Sequence, residues 1–190
     1  ERSAEAVKRF GDEAKKLKAA GVGVFVQCLW TGTQQPAPRV VSLRNAAQAG
    51  LKIAGYASIA PGGMSGITHM MQARSGIPDD LWAGLKQVFV DVELQGITTA
   101  QVRDAVGQIA GYAKPKSIYT SFNAWVNYMG NPTTFTDCLL WNANWDANPD
   151  IDFDTLGYGG WTMYALIGEQ WSGGTNVQGQ FADRNQFRGE

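Results

Sequence analysis

Histidine occurs once in this 190-residue chain, cysteine twice, and neither sign of charge is in excess. Each shortage excludes something. A single His69 cannot assemble a polyhistidine metal centre. Cys28 and Cys138 match no metal-ligand spacing and make no disulfide framework. Both sit in apolar, strand-like runs and are read as buried free thiols. Sixteen Lys and Arg stand against 17 Asp and Glu, a net charge of −1. That balance argues against nucleic acid or an anionic membrane as partner. A long uncharged stretch, Ser117 to Thr136, is rich in Asn, Thr and Ser and cannot be a membrane span. Glu1 to Lys18 is charged and helical in spacing, so no secretory leader is expected there. Pro61-Gly62-Gly63 lacks the Gly-Lys-Ser/Thr of a phosphate loop. Gly63-Met64-Ser65-Gly66, upstream of His69, is one residue short of a serine-hydrolase elbow, which leaves His69 a surface or packing residue.

What is abundant is glycine, 23 copies, and tryptophan, seven, in a chain that is 44% hydrophobic but only 17% charged. The length suits one domain, residues 1–190. Ser3 to Ala20 has helical spacing, with Ala6, Phe10, Ala14 and Leu17 apolar, and Gly21 stops it. Val22 to Trp30 is a nearly continuous apolar run, as in a strand buried on both faces. The alternation then repeats. Pro38 to Ala49 is helical, Leu51 to Ala60 a strand, and a further helix runs through Met70. Leu85 to Leu94 is a strand, Thr98 or Thr99 caps a helix to about Tyr112, and Ser117 to Ser121 is a strand. Beyond it the pattern changes. Leu139 to Trp145, Thr162 to Ile167 and Val177 to Asp183 read as strands with no good helix between them. Helix–strand units followed by consecutive strands predict an α/β fold. Its expected form is a TIM-like (β/α) barrel, irregular in its second half.

Such barrels place their chemistry at the C-terminal ends of the strands. Asp91 and Glu93 stand there, two positions apart, so both point to one face roughly 7 Å apart at Cα. Paired acids raise one another's pKa, so one can hold a proton while the other stays ionised. Glycoside hydrolysis uses that division of labour. Trp30, Tyr56, Tyr119, Trp141, Trp145 and Trp171 also fall near predicted strand ends, and flat rings suit the C–H faces of sugars. A saccharide cleft is the expectation.

The chain resembles the family 25 glycoside hydrolases, the Chalaropsis-type lysozymes. The likeness rests on several segments in family order between Gly21 and Phe187. They are Ala49-Gly50-Leu51 leading to Tyr56, Phe89-Val90-Asp91-Val92-Glu93, Ile118-Tyr119-Thr120, Leu140-Trp141-Asn142-Ala143-Asn144-Trp145, Gln170-Trp171-Ser172, and Val177-Gln178-Gly179 with Asp183 to Phe187. The resemblance implies an irregular β/α barrel. It also implies cleavage of the β-1,4 bond between N-acetylmuramic acid and N-acetylglucosamine in peptidoglycan. Carried over, Glu93 is the general acid. Asp91 assists the charged intermediate, with the substrate's 2-acetamido group as nucleophile, and Asp183 orients the substrate or tunes the acids. Tyr56, Tyr119, Trp141, Asn144, Gln170 and Trp171 line the saccharide site. No metal or organic cofactor is implied. The implied place of action is outside the cytoplasm, or on a phage particle.

Three departures matter. The family's opening strand, G-I-D-x-S, carries an active-site Asp that nothing here supplies, so an upstream segment or another chain is expected to complete the barrel. Ala57-Ser58 stands where the family often has His-Phe, and Trp30-Thr31-Gly32 replaces T-E-G. Three readings follow: an active muramidase, a saccharide-binding domain that cleaves nothing, and a virion or other structural component.

Overall fold

The computed structural model describes residues 2–148, 151, 157–177 and 180–188, and leaves out the side chains of 2–10, 174–177, 180–182 and 184. The first helix, α1 (Arg2–Ala19), ends with Lys16 and Lys18 in its last turn, where the carbonyl end of the helix dipole favours cations. Gly21 then turns the chain at φ +85°, a conformation that only glycine adopts without strain. Next come β1 (Val24–Trp30), α2 (Arg39–Gln48), β2 (Lys52–Ser58), α3 (Gly66–Arg74), α4 (Asp79–Gly84) and β3 (Leu85–Asp91). The second half holds α5 (Thr99–Gly111), β4 (Ser117–Ser121), β5 (Leu139–Ala143), β6 (Leu166–Val177) and β7 (Gln180–Phe187). Thr98 is the residue that caps α5. Its hydroxyl accepts from the Gln101 N–H, and the Gln101 side chain reaches back to the Thr98 N–H.

The seven strands form one sheet in chain order, parallel from β1 to β6, with β7 antiparallel at the end. Side chains alternate across it. Ile53, Val88, Val90, Ile118, Leu140 and Leu166 point outward into the main core beneath the helices. Ala54, Phe89, Tyr119 and Trp141 point inward and pack with Val24, Val26, Tyr56 and Phe187. The expected α/β barrel-like architecture is therefore present as a curled sheet. Among the described residues no ladder joins β1 to β7, so each is an edge.

The second half departs from expectation in detail. The strand expected over Thr162–Ile167 begins at Leu166 and continues to Val177, so Glu169, Gln170 and Trp171 lie within a strand rather than beyond one. The strand expected over Val177–Asp183 divides into the end of β6 and the start of β7, while residues 178 and 179 lie outside the described residues. Ser172-Gly173-Gly174-Thr175 read as loop because Gly and small polar residues are depleted in strands. Irregular pairing with β7 accommodates them, with register shifts between Gln170 and Ser172 and between Ser172 and Thr175. Between β4 and β5 a single π-helical turn, Ala124–Tyr128, replaces the crossover helix. Fully buried Trp125 anchors it against Phe135 and Trp161, and its indole N–H donates to the Pro132 carbonyl. Among the described residues no helix is long and apolar enough to cross a membrane.

Candidate active site

The inward face of the sheet carries one row of directly paired positions: Ser58, Asp91, Tyr119, Trp141, Gly168 and Phe187, from β2 to β7. Gly168 belongs in it for a steric reason. A Cβ there would sit 2.4 Å from the Phe187 ring, which packs instead against Trp141 and Phe89. The row floors a cleft of about 910 Å³ whose lining includes Tyr56, Asp91, Glu93, Tyr119, Trp141 and Asp183. A second cavity of about 210 Å³ adjoins the acids on the side of Thr31, Ser58, Ile59 and Leu94. Asp91 and Glu93 line both.

The two acids differ in environment. Asp91 is the last residue of β3 and buried, whereas Glu93 lies two residues past the strand and is exposed. Burial pushes the Asp91 carboxyl up to about 7; the Ser58 hydroxyl, donating to Oδ2 at 2.5 Å, opposes the rise, and Glu93 adds to it. Glu93 is raised above the ordinary carboxylate range, first by desolvation in the cleft and then by Asp183. Both acids are thus biased toward holding a proton, which is the property a general acid needs near neutrality.

This bias has a thermodynamic consequence. Between the unfolded value of 3.8 and about 7 the folded protein keeps a proton on Asp91 that the unfolded chain releases. The stabilisation from that proton is full below pH 3.8 and is lost as pH rises through 7. Asp91→Asn removes the dependence. It should be close to neutral at pH 4 and stabilising at pH 8 by on the order of 2–4 kcal/mol, at about 1.4 kcal/mol per unit. Urea unfolding at the two pH values measures it, and an equal effect at both would contradict the burial argument.

Hydrogen bonds hold the aromatic walls. The Tyr119 hydroxyl donates to Gln170 Oε1 at 2.6 Å, and Trp141 Nε1 donates to Asn185 Oδ1 at 3.0 Å, tying β7 to β5. Burial and the surrounding carboxylates push the Tyr56 and Tyr119 phenols up, so both stay neutral. Trp145 and Trp171 also line the cleft. Of the expected site residues, Glu93, Asp91, Asp183, Tyr56, Tyr119, Trp141, Gln170 and Trp171 come together. Asn144 does not join that lining; its side-chain amide donates to Asp146 Oδ2.

Trp30 points outward, and its buried indole donates to His69 Nδ1 at 2.9 Å. His69 is accordingly a fully buried packing residue, kept neutral by burial. Cys138 is buried as expected, but Cys28 is half-buried and lines the cleft beside Tyr56. Two features escaped the sequence. Ser58 is hydrogen-bonded to Asp91, and only its place at a predicted strand end pointed to it. Glu169 is fully buried on the opposite face of the sheet from Gln170, near enough to Tyr158 to raise its phenol further. Among the described residues no three His, Cys, Asp or Glu side chains gather to hold a metal ion.

No family model matches the chain. Three proteins of Dictyostelium discoideum are similar in sequence, one of them Counting factor 50, 36% identical over 84 residues, 43% of this chain and 27% of that protein. Probable GH family 25 lysozyme 4 is 33% identical over 111 residues, 55% of this chain and 51% of that protein. Probable GH family 25 lysozyme 3 is 28% identical over 171 residues, 84% of this chain and 35% of that protein. The chain thus spans about half or less of the length of these relatives. In fold it is similar to a family GH25 lysozyme from Aspergillus fumigatus, with a TM-score of 0.74 at 20% identity, covering 93% of this chain and 88% of that one. In sequence, then, the chain is similar to family 25 lysozymes over part of their length, and it has the fold of a solved family 25 lysozyme.

Proposed function

We propose that this domain is a muramidase, cleaving the β-1,4 bond between N-acetylmuramic acid and N-acetylglucosamine in peptidoglycan. The observation that carries the reading is the pair Asp91 and Glu93, both with raised proton affinity, in an aromatic-walled cleft on one face of the sheet. Glu93 gives its proton to the glycosidic oxygen as the C1–O bond breaks. The substrate's acetamido oxygen forms a bond to C1 from the other side, making a cyclic cation that ionised Asp91 stabilises. Water then attacks C1, the acetamido bond opens, and Glu93 recovers a proton from the water. Asp183 adds to the proton affinity of Glu93. Tyr119, Trp141 and Trp171 offer ring faces to the sugars. The substrate places the domain's action outside the cytoplasm or at a phage-delivered wall contact.

Mass spectrometry of a peptidoglycan digest tests this. New reducing ends on N-acetylmuramic acid support the muramidase. Retention of the polymer without cleavage, lost in Trp171→Ala, would favour a saccharide-binding domain instead. Neither cleavage nor retention would favour a structural component.

We infer further that an extended segment fills the space between the two sheet edges. The cleft runs along every residue from Val22 to Cys28 on one side and Asn185 to Phe187 on the other. Apolar Val24, Phe25 and Val26 remain half-exposed along that edge. A strand leading into α1 through a β/α crossover would lie beside β1 and parallel to it, and hence antiparallel to β7. Its C-terminal end would then arrive beside the acids. Hydrogen exchange measures this: the outward amides of β1 should exchange fast in the 190-residue chain and become protected when upstream residues are present. Equal protection in both forms would rule the strand out.

A further inference from the structure

We propose that Ser58 is a positioning residue of the acid pair, holding Asp91 in one orientation and favouring its carboxylate over its acid. Ser58 ends β2 and is paired directly with Asp91 at the end of β3, so the hydroxyl needs no long or flexible reach. The Ile59 N–H donates to the Asp91 carbonyl at 3.1 Å, which fixes the two backbones against each other at this level. The Ser58 hydroxyl donates to Asp91 Oδ2 at 2.5 Å. The other carboxylate oxygen, Oδ1, is buried and has no hydrogen-bond partner among the described residues. One oxygen is thus tethered to the sheet, and the other keeps unused acceptor capacity.

A hydroxyl donor favours the carboxylate over the acid, because a hydrogen bond to a charged acceptor is about twice as strong as one to a neutral acceptor. It therefore works against the burial that raises Asp91. The other titratable groups around this carboxyl do not replace it. Glu93, beyond β3, raises it further. Cys28 on β1, Tyr56 on β2 and Tyr119 on β4 are each held neutral by burial, and Asp183 on β7 brings negative charge to the same cleft. No cation lines the cleft among the described residues. Ser58 is the hydrogen-bond donor that the structure gives to Asp91.

The catalytic consequence rests on the muramidase reading, in which Asp91 must be ionised, but the proton equilibrium does not. Carbon-13 NMR titration of the aspartate carboxyls, with Asp91→Asn assigning the signal, reads that equilibrium without any substrate. In Ser58→Ala the Asp91 midpoint should rise by about one pH unit or more, and Ser58→Thr, which keeps the hydroxyl, should restore it. In Ser58→Cys, a weaker donor of nearly the same size, the rise should be smaller; this variant decides the matter if Ser58→Ala does not fold. On peptidoglycan the acid limb of the kcat/KM profile should move upward by the same amount. An unchanged midpoint in Ser58→Ala and Ser58→Cys overturns the proposal. So does a turnover loss that is uniform with pH. A shifted midpoint in a protein that cleaves nothing would uphold Ser58's role and overturn the muramidase reading alone.

Discussion

Glu93→Gln should lower peptidoglycan cleavage by about 10³-fold, within the range that a positioned general acid contributes, while urea unfolding stays within about 0.5 kcal/mol of wild type. The two halves of this expectation have separate causes. The amide is nearly isosteric but has no proton to give to the departing oxygen, so kcat should fall and KM change little. Glu93 lies past the end of β3 and is exposed, so its replacement opens no cavity and strands no buried partner. Removing one of the acids around the cleft also lowers the charge repulsion there, which works slightly in favour of the fold. Initial rates of muropeptide release, with denaturation curves on the same preparations, measure both. A Glu93→Gln protein that cleaves at even a tenth of the wild-type rate would mean that another group protonates the leaving oxygen.

The largest expected loss of stability lies at a helix crossing. Gly66→Ala should cost at least about 3 kcal/mol, the upper range for forcing atoms into a packed core. Gly66 opens α3 where that helix crosses α5, and the crossing is close enough for backbone contact. A Cβ at position 66 would stand 1.9 Å from the Gln101 carbonyl oxygen and 2.6 Å from the Ala105 amide nitrogen. Neither is the end of a flexible side chain, so the helices must separate. The separation would pull on the Gln101 side chain, whose amide donates to the carbonyls of Ala60 and Met64, and so on the loop that follows β2. Gly107 provides the contrast. It lies in the middle of α5, exposed, and a Cβ added there would meet nothing within 4 Å. Gly107→Ala should therefore stabilise by roughly 0.5–1 kcal/mol through helix propensity. Chemical denaturation of the two variants should move in opposite directions, and a tolerated Gly66→Ala would contradict the close crossing.

Where the sequence was informative, the information was local. The apolar runs of β1 to β4 are short and dense enough to read as buried strands, and Gly21 and Gly50 mark the ends of helical patterns. The Thr98–Gln101 capping box spans three positions, and Asp91 and Glu93 span two. Short range also explains an α-helix that the pattern does not reveal. α4 is six residues, Asp79–Gly84, too short for apolar periodicity to show. Its C-terminal carbonyls are capped from a distance by the Lys114 ammonium, which donates to the carbonyls of Ala83 and Leu85.

By itself, then, the sequence determined the order of helices and strands in the first half, the inward placement of an acid pair, and the aromatic character of its surroundings. Those follow from spacing along the chain, because side chains alternate on a strand and recur every three or four residues on a helix. Only the tertiary structure decided which aromatics serve the cleft. Tyr119 meets Gln170 across 51 positions and Trp141 meets Asn185 across 44, whereas Trp30 turns away to His69 across 39. The tertiary structure alone also set Ser58 against Asp91, exposed Cys28 to the cleft, and left β1 and β7 as separate edges. The physical reason is common to all of these. Register between strands, and the curl that brings distant strands together, arise from packing and hydrogen bonds between residues tens of positions apart, and no local pattern in the chain records which partner each will find.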